Sequence, residues 1–518
     1  MSIPAQQSEV AAFLRGLSGR DPIETHISLV FVGPNTVWKL KKAVRLGFLD
    51  FTRIEDRRRF AERELALNTG AAPGIYRDVV PITRQPDGLL ALGGPEDAPV
   101  VDWVVRMARI PADDFLDVVA MQGRLGPKLL DAIADAVAAV HQGLSPVDGV
   151  VPDMERVADG NARAAREAGL PTDRIEAWRQ SILAAIALCG AWFIERAQAG
   201  YVRRAHGDLH LGNLCLWHGE PTLFDALEFD EALATIDLGY DLSFLLMDLE
   251  RRVGRAAANR VFNRYVARTG DAALVRGLPV FLFMRAMIRA HVEARTGQSE
   301  RAEAYLAAAL AYLGQTSGIV VAVGGLPGTG KTTLARALAP ALGAAPGALV
   351  LRSDEIRKRR FGVAPEQRLP PAAYTEEVSK SVFLELAAMA GTAATAGHAV
   401  LADGTFMDLE HRRLIEAAAS RASCPFHGFW LVAPLCVLEA RVERRVDDAS
   451  DATVDIVRAA AGRDPGPGTW QILDACDINQ AWDLATTALR PHLVMREERR
   501  PELHRMGTTS TGADHGHS

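Results

Sequence analysis

The stretch "GLPGTGKT", residues 325 to 332, constrains this 518-residue chain more than any other. It follows "GIVVAV", a buried-strand pattern, and it opens "KTTLARAL", which has helical spacing. A glycine-rich turn between a strand and a helix start is a cradle for phosphates. Backbone N–H groups curl around the anion there, and the helix N-terminus adds its dipole. Gly325, Gly328 and Gly330 shape the turn, Lys331 reaches the β- and γ-phosphates, and Thr332 can ligate magnesium, with Thr333 beside it in the nucleotide site. The residues that follow have a matching rhythm: "ALVLRSDEIRKRR", a helix over 375–394, "AVLADGTF", another helix, then "FHGFWLVAP". Strands that alternate with helices predict an α/β domain with a parallel sheet covered on both faces.

Two strand ends in this half carry candidate chemistry. Asp354 and Arg357 stand just past the second strand, at its carboxyl end, where open α/β sheets bind ligands. Asp354 could deprotonate a substrate hydroxyl, and Arg357 could contact a phosphate or the transition state. A helix-capping aspartate followed by a solvated arginine run fits the same residues. Asp403 ends the third strand and is a candidate for orienting magnesium or its waters. "LEARVERRVDDASDA", residues 438 to 452, is arginine-dense. Arg441 and Arg445 could close over a triphosphate or lie on an exposed helix face.

A second phosphate signal lies upstream, in "RRAHGDLHLGNLCLWHGEPTLFD", residues 203 to 225. Asp208 and Asn213 have the spacing D-x-x-x-x-N. In a kinase catalytic loop that spacing lets the aspartate accept the proton of an attacking hydroxyl while the asparagine binds magnesium. "LCLW", "HGEP" and "TLF" predict a tight hairpin that returns Asp225 to Asn213, where its carboxylate would be a second metal ligand. His206 could instead be a hydrogen-bonded core histidine, and His210 either supports the loop or touches substrate. Lysine usage adds a hint. Seven lysines stand against 51 arginines, so a lysine marks a place that needs a compact point charge. Three of the seven fall in "VWKLKK" and one in "GKTT". Lys41 and Lys42 are expected on a solvated strand edge.

Around these motifs the chain reads as a β-rich small lobe, a connecting strand and a helical large lobe with a short hairpin insert. "HGDLHLGN", "FDALEF" and "DLGYDLSFLLMDLE" resemble the aminoglycoside phosphotransferase and choline kinase-like family, over roughly residues 25 to 310. The resemblance implies an α+β protein-kinase-like fold, Asp208 as catalytic base, and Asn213 and Asp225 as magnesium ligands. It also implies Lys39 on the α- and β-phosphates, Glu64 rather than Glu62 as its partner, and Asp241 at the start of the helix bracing the catalytic loop, with Asp237 nearby. Three features depart from the pattern. No G-x-G-x-x-G loop precedes Lys39, Ala-Leu follows Asp225 where Phe-Gly is usual, and Leu211 stands where many relatives have proline.

The other half, roughly 317 to 497, has "GLPGTGKTT", "RSDEIR", "ADGTF", "EARVERR" and "SDA" in order. It is similar to the P-loop kinase group of zeta-toxin-like and polynucleotide kinase-like, AAA-type domains. That likeness implies an α/β P-loop NTPase fold and transfer to a hydroxyl group. The fusion of the two resembles a family of bacterial two-domain proteins.

The expected organisation is a protein-kinase-like domain over 1–315, a P-loop kinase domain over 316–497 with its own core, and a disordered polar tail over 498–518. A net charge of −6 and a pI near 6.1 argue against a nucleic-acid binder that works through bulk positive charge. Five scattered cysteines without a C-x-x-C pair fit a reducing cytosol. No basic segment precedes an apolar run at the N-terminus, and "ILAAIALCGAWFI" is expected to be too short to cross a bilayer, so a cytoplasmic protein with no membrane partner is expected. The expected function is ATP-dependent phosphotransfer to small-molecule hydroxyl groups, with magnesium and a nucleotide triphosphate at two sites. Two other readings fit the same motifs: a kinase regulated by a P-loop ATPase switch, and a non-enzymatic, nucleotide-gated interaction protein.

Overall fold

Near the N-terminus, short runs of alternating apolar residues pair into one antiparallel sheet. The computed structural model describes residues 3–46, 49–314, 318–445, 448–466 and 468–494. The expected boundary at Thr316 and the expected tail over 498–518 lie outside the described residues. Helix α1 (Ser8–Ser18) leads into strands β1 (Ile23–Glu24), β2 (Ser28–Val32) and β3 (Thr36–Lys41). A small ladder of β4 (Arg45–Leu46) and β5 (Leu49–Asp50) precedes helix α2 (Ile54–Thr69), whose acidic first turn, Glu55 and Asp56, complements the helix dipole. Strands β6 (Tyr76–Arg84), β7 (Leu90–Leu92) and β8 (Val100–Ala108) complete the sheet in the order β1-β2-β3-β8-β6-β7. β3 is therefore an interior strand, paired with β2 on one side and β8 on the other.

Helices α3 (Leu116–Met121), α4 (Pro127–Gly143), α5 (Met154–Glu167) and α6 (Thr172–Gln198) follow. The run expected to be too short for a bilayer lies inside α6, whose 27 residues are, by length and composition, enough to cross one. The helix continues through polar residues at both ends of the run, and the apolar run itself stays short. Its Ile175, Trp178, Ile182 and Ile186 are buried in protein. Strand β9 (Val202–Arg204) then leads to the hairpin β10 (Leu214–Trp217) and β11 (Glu220–Leu223). His218 and Gly219 turn that hairpin with φ of 53° and 87°, the positive pair that a tight two-residue turn requires. Helix α7 (Glu231–Ala234), strand β12 (Thr235–Asp237), which pairs with β9, and helix α8 (Leu238–Arg252) close this region.

Beyond them lie helices α9 (Arg255–Thr269), α10 (Leu278–Arg295) and α11 (Ser299–Tyr312). Then strands and helices alternate: β13 (Val320–Gly325), α12 (Lys331–Leu338), β14 (Leu349–Arg352), α13 (Ser353–Arg360), α14 (Glu376–Thr395), β15 (Val400–Asp403), α15 (Leu409–Arg421) and β16 (Phe426–Val432). Helices α16 (Leu435–Glu443) and α17 (Val454–Ala461), strand β17 (Gln471–Asp474) and helix α18 (Ile478–Leu489) end the described chain. The five strands are parallel, in the order β14-β15-β13-β16-β17. The strand that feeds the glycine-rich turn is thus central, and its Val321 and Val323 are fully buried.

The chain divides into two compact units, Met1–Asp159 with Gly190–Asp248, and Gly160–Cys189 with Leu249–Ser518. The division falls inside α5, α6 and α8, so helices α9 to α11 group with the parallel sheet. The first unit has the α+β protein-kinase-like architecture, and the second contains the α/β P-loop NTPase sheet.

Two candidate nucleotide sites

In the first unit, the period of two along β3 sets Lys39 and Lys41 on the same face. Glu64 of α2 reaches both: its Oε1 lies 2.7 Å from Lys39 Nζ and its Oε2 2.7 Å from Lys41 Nζ. Lys39 Nζ is also 2.5 Å from Asp225 Oδ1. Burial opposes the charge on Lys39, but the carboxylates of Asp225 and Glu64 outweigh it and hold its pKa well above the usual value. Burial likewise opposes ionisation of Glu64, yet Lys39 and Lys41 hold its pKa well below the ordinary carboxylate range.

Lys41 and Lys42, expected at a solvated edge, are each 1% exposed. β3 has strands on both sides, and its last residues, Leu40 and Lys41, are buried, as is Lys42 just after it. Lys41 is neutralised by Glu64 and Glu228; Lys42 Nζ donates to Glu24 Oε1 and to the Thr25 carbonyl, each at 2.6 Å. A buried ammonium needs such partners.

The catalytic-loop candidates are held by α8. The Asp241 carboxylate accepts from the backbone N–H groups of His206 (3.0 Å) and Gly207 (2.8 Å) and lies 3.1 Å from His141 Nε2. His206 Nε2 donates to the Phe224 carbonyl (2.9 Å), and its Nδ1 accepts from Asp208 N–H (3.3 Å). Burial lowers the His206 pKa, so the neutral ring ties the loop to the hairpin arm that ends at Asp225. Asn213 Nδ2 donates to the carbonyl of Asp208 (2.9 Å) and to its Oδ2 (3.0 Å). The Asp208 side chain stays 43% exposed, open to an acceptor. His210 accepts from Gly212 N–H through Nδ1, and its Nε2 sits 3.5 Å from Asp208 Oδ2, so it faces the carboxylate rather than standing apart from it.

Asp225 has φ of 61°, an uncommon backbone state for a residue with a side chain. Two side chains hold it there. Tyr76 Oη accepts from Asp225 N–H (3.1 Å), and Asn68 Oδ1 accepts from Ala226 N–H (2.9 Å). Asn68 lies one helical turn after Glu64, so α2 sets both the lysine partner and the turn at Asp225. Among the described residues no group of three or more His, Cys, Asp and Glu gathers to hold a metal alone. The donors present are the Asp225 carboxylate and the amide oxygen of Asn213, whose nitrogen is committed to Asp208. Such a sparse, hard-oxygen set suits magnesium, which keeps waters and substrate phosphates among its ligands.

In the second unit the phosphate loop has Gly325, Gly328 and Gly330 at φ of 135°, 87° and 88°. A Cβ on Gly328 would stand 2.8 Å from the Leu438 carbonyl, so the loop packs too tightly there for a side chain. Lys331 opens α12, and its Nζ donates to the Leu326 carbonyl at 2.9 Å. Burial lowers its pKa. Thr332 Oγ1 donates to Asp403 Oδ2 at 2.5 Å, and Thr333 follows in the same turn.

α13 has Arg352 at its cap position and no side-chain capping bond, so nothing supports Asp354 as the cap. Burial raises the Asp354 pKa, with the Asp403 charge adding to it against Arg352. Arg357 is not solvated: it is 6% exposed, donates to the Ala373 carbonyl (2.6 Å) and Ser379 Oγ (3.3 Å), and lies over the Tyr374 ring. Arg441 donates to the carbonyls of Ala475 (2.9 Å) and Gly328 (3.4 Å), which ties α16 to the phosphate loop. Arg445 is close enough for its charge to bear on Lys331.

Sequence reasoning missed the hub of this site. Arg352, at the end of β14, donates to Asp403 Oδ2 (3.2 Å), Glu355 Oε1 (2.9 Å) and Asp448 Oδ1 (3.0 Å). The "SDA" aspartate, Asp451, accepts from Lys358 Nζ (2.7 Å) and Leu369 N–H (3.0 Å). A charged residue ending an apolar strand, and the quoted "SDA", were the available signals.

A family model described as an AAA domain matches residues 320–463. An uncharacterized protein of Mycobacterium tuberculosis and one of Mycobacterium bovis are each 28% identical over 495 residues, spanning 90% of this chain and 96% of their own length. Among solved structures, choline kinase from Cryptosporidium parvum is 11% identical with a TM-score of 0.39, covering 57% of this chain and 88% of that one. A choline/ethanolamine kinase family protein from Mesorhizobium loti is 14% identical with a TM-score of 0.35, covering 59% and 98%. The chain joins an α+β, protein-kinase-like fold to an α/β P-loop domain, the part that the AAA-domain model matches.

Proposed function

We propose that the chain is an ATP-dependent phosphotransferase with two sites, the first acting on a small-molecule hydroxyl group and the second a P-loop kinase site. The observation that carries this reading is the first site's convergence: Lys39, Glu64 and Asp225 are joined by direct ion pairs, and Asn213 holds the Asp208 carboxylate in the same unit. Lys39 meets the phosphates, and Asp208, exposed and oriented by Asn213 and His210, takes the proton of the acceptor hydroxyl as its O–P bond to the γ-phosphorus forms and the bond to the β,γ-bridging oxygen breaks, releasing ADP. Asn213 and Asp225 would hold magnesium, which supplies charge neutralisation on the phosphates. In the second site Lys331 meets the β- and γ-phosphates, Thr332 and Asp403 would hold magnesium, and Asp354 is the base. Arg357, Arg441 and Arg445 supply positive charge around the transferred group. We place the protein in the cytoplasm.

The test is a metabolite-extract screen with labelled ATP, run with the wild-type chain and with Asp208→Asn and Lys331→Ala. Label transferred by wild type and lost in one variant assigns an acceptor to that site. Turnover without an acceptor that depends on Lys331 would favour the regulatory ATPase, and binding without turnover the nucleotide-gated module.

A further inference from the structure

We propose that helix α9, through Asn263, positions the strand that carries Arg352 and leads into Asp354. β14 is an edge strand whose sheet neighbour is β15. An edge presents N–H and C=O groups that seek partners. Asn263 meets two of them with its side-chain amide: Oδ1 accepts from Val350 N–H (2.7 Å), and Nδ2 donates to the Ala348 carbonyl (3.2 Å). A primary amide carries the same donor and acceptor as a peptide group, so Asn263 stands where another strand would pair. Asn259, one turn earlier and 3% exposed, donates to the same Ala348 carbonyl (3.0 Å) and accepts from Asn263 Nδ2 (3.0 Å).

The helix is fastened at both ends. Arg255 donates to the carbonyls of Pro340 and Gly343, each at 2.6 Å, just past the phosphate-loop helix α12. Arg264 pairs with Glu366 at 2.6 and 3.1 Å, and Arg359 of α13 donates to the Ala267 carbonyl at 3.1 Å. The approach is close enough to demand glycine at 347: φ is 117°, and a Cβ would fall 2.8 Å from Asn259 Nδ2. One helix therefore touches the turn just after α12, the strand β14 and the helix α13 that holds Asp354 and Arg357. Their mutual placement sets the geometry between Lys331 and Asp354. The kinetic part of this inference rests on Asp354 acting as base; the strand clamp does not.

The test uses the full-length chain. Asn263→Leu removes both bonds to β14, whereas Asn263→Asp keeps an acceptor for Val350 N–H. Amide exchange at Val350 is expected to rise about tenfold in the leucine variant and to stay near wild type in the aspartate variant. Lys331-dependent turnover should fall several-fold in kcat, with nucleotide Kd changed by less than about twofold. Unchanged exchange at Val350 in Asn263→Leu overturns the clamp. Faster exchange with wild-type kcat overturns the positioning role. If Asp354→Asn leaves turnover intact while exchange still responds to Asn263→Leu, the base reading fails and the clamp stands. Should Asn263→Leu not fold, Arg264→Gln, which cuts the link to Glu366, is read by the same two measurements.

Discussion

Lys39 and Lys331, the two lysines proposed to meet phosphate, are held in opposite ways. Lys39 sits between two carboxylates, 2.7 Å from Glu64 and 2.5 Å from Asp225, and they keep its pKa high against burial. Lys331 donates to a neutral carbonyl, that of Leu326, and burial lowers its pKa. An arriving triphosphate must draw Lys39 away from charges that already satisfy it, while Lys331 exchanges a carbonyl for an anion. The partners of Lys39 stand 25 and 186 residues away along the chain. The cradle of Lys331 is eight consecutive residues. The first site exists only once the fold has formed; the second is largely written into one turn.

The largest expected effect separates the sites by chemistry. Asp208→Asn should lower acceptor phosphorylation by about 10²- to 10⁴-fold with nucleotide affinity retained. Initial rates on the acceptor found in the extract screen check it, and near-normal turnover would remove Asp208 from the base role. Lys331→Ala should abolish turnover in the P-loop half. If the sites are independent, Asp208-dependent transfer continues nearly unchanged; coupling would alter it several-fold, corresponding to about 1–3 kcal/mol. Acceptor phosphorylation measured over a range of ATP decides between these.

Asp225→Ala should weaken magnesium-dependent nucleotide binding in the first unit, since it removes a metal ligand and one of the charges on Lys39. A magnesium titration identical to wild type would contradict the convergence of Asp225 on Asn213. A fragment of residues 318–494 should be less soluble than one of 249–494, because the shorter piece leaves the Ala348 and Val350 edge without α9. Sedimentation of the two fragments at equal concentration tests this, and equal behaviour would support a P-loop domain that begins near 316.

The smallest effect is on acid stability. Glu64 has its pKa lowered from 4.5, so it contributes stability that is fully present above about pH 4.5 and is lost as pH falls toward its folded value. Glu64→Gln should flatten that loss, and the wild-type midpoint should drop by on the order of 5 °C more than the variant's between pH 5 and pH 3. Parallel melting curves for the two proteins would show that Glu64 does not carry the effect.

Legibility followed sequence distance. "GLPGTGKT" needed nothing beyond its flanking strand and helix. Asp208, Asn213 and Asp225 were readable because a two-residue turn folds the hairpin back locally. Lys41 was misjudged because its environment is made by β2, Glu64 and Glu228, and nothing near residue 41 announces them. Arg352 and Asp448 were passed over for the same reason, since their contact spans 96 residues. β17 and α18 were not anticipated. With Leu473 the buried member of a short strand, β17 carries little periodic signal.

The sequence alone determined the local devices: the glycine turn before Lys331, the helix that starts there, the aspartate–asparagine loop and the hairpin after it. Backbone sterics and short-range hydrogen bonding suffice for each. Only the tertiary structure decided which charges meet. Glu64 lies between two lysines because α2 packs on the sheet against β6 and β8, and β8 is the neighbour of β3. Arg352 joins Asp403 to Asp448 because the parallel sheet aligns the ends of its strands. Asn263 completes the edge of β14 because α9 packs along it. Burial makes these pairings obligatory, since a charge or an amide removed from water must find its partner inside the protein.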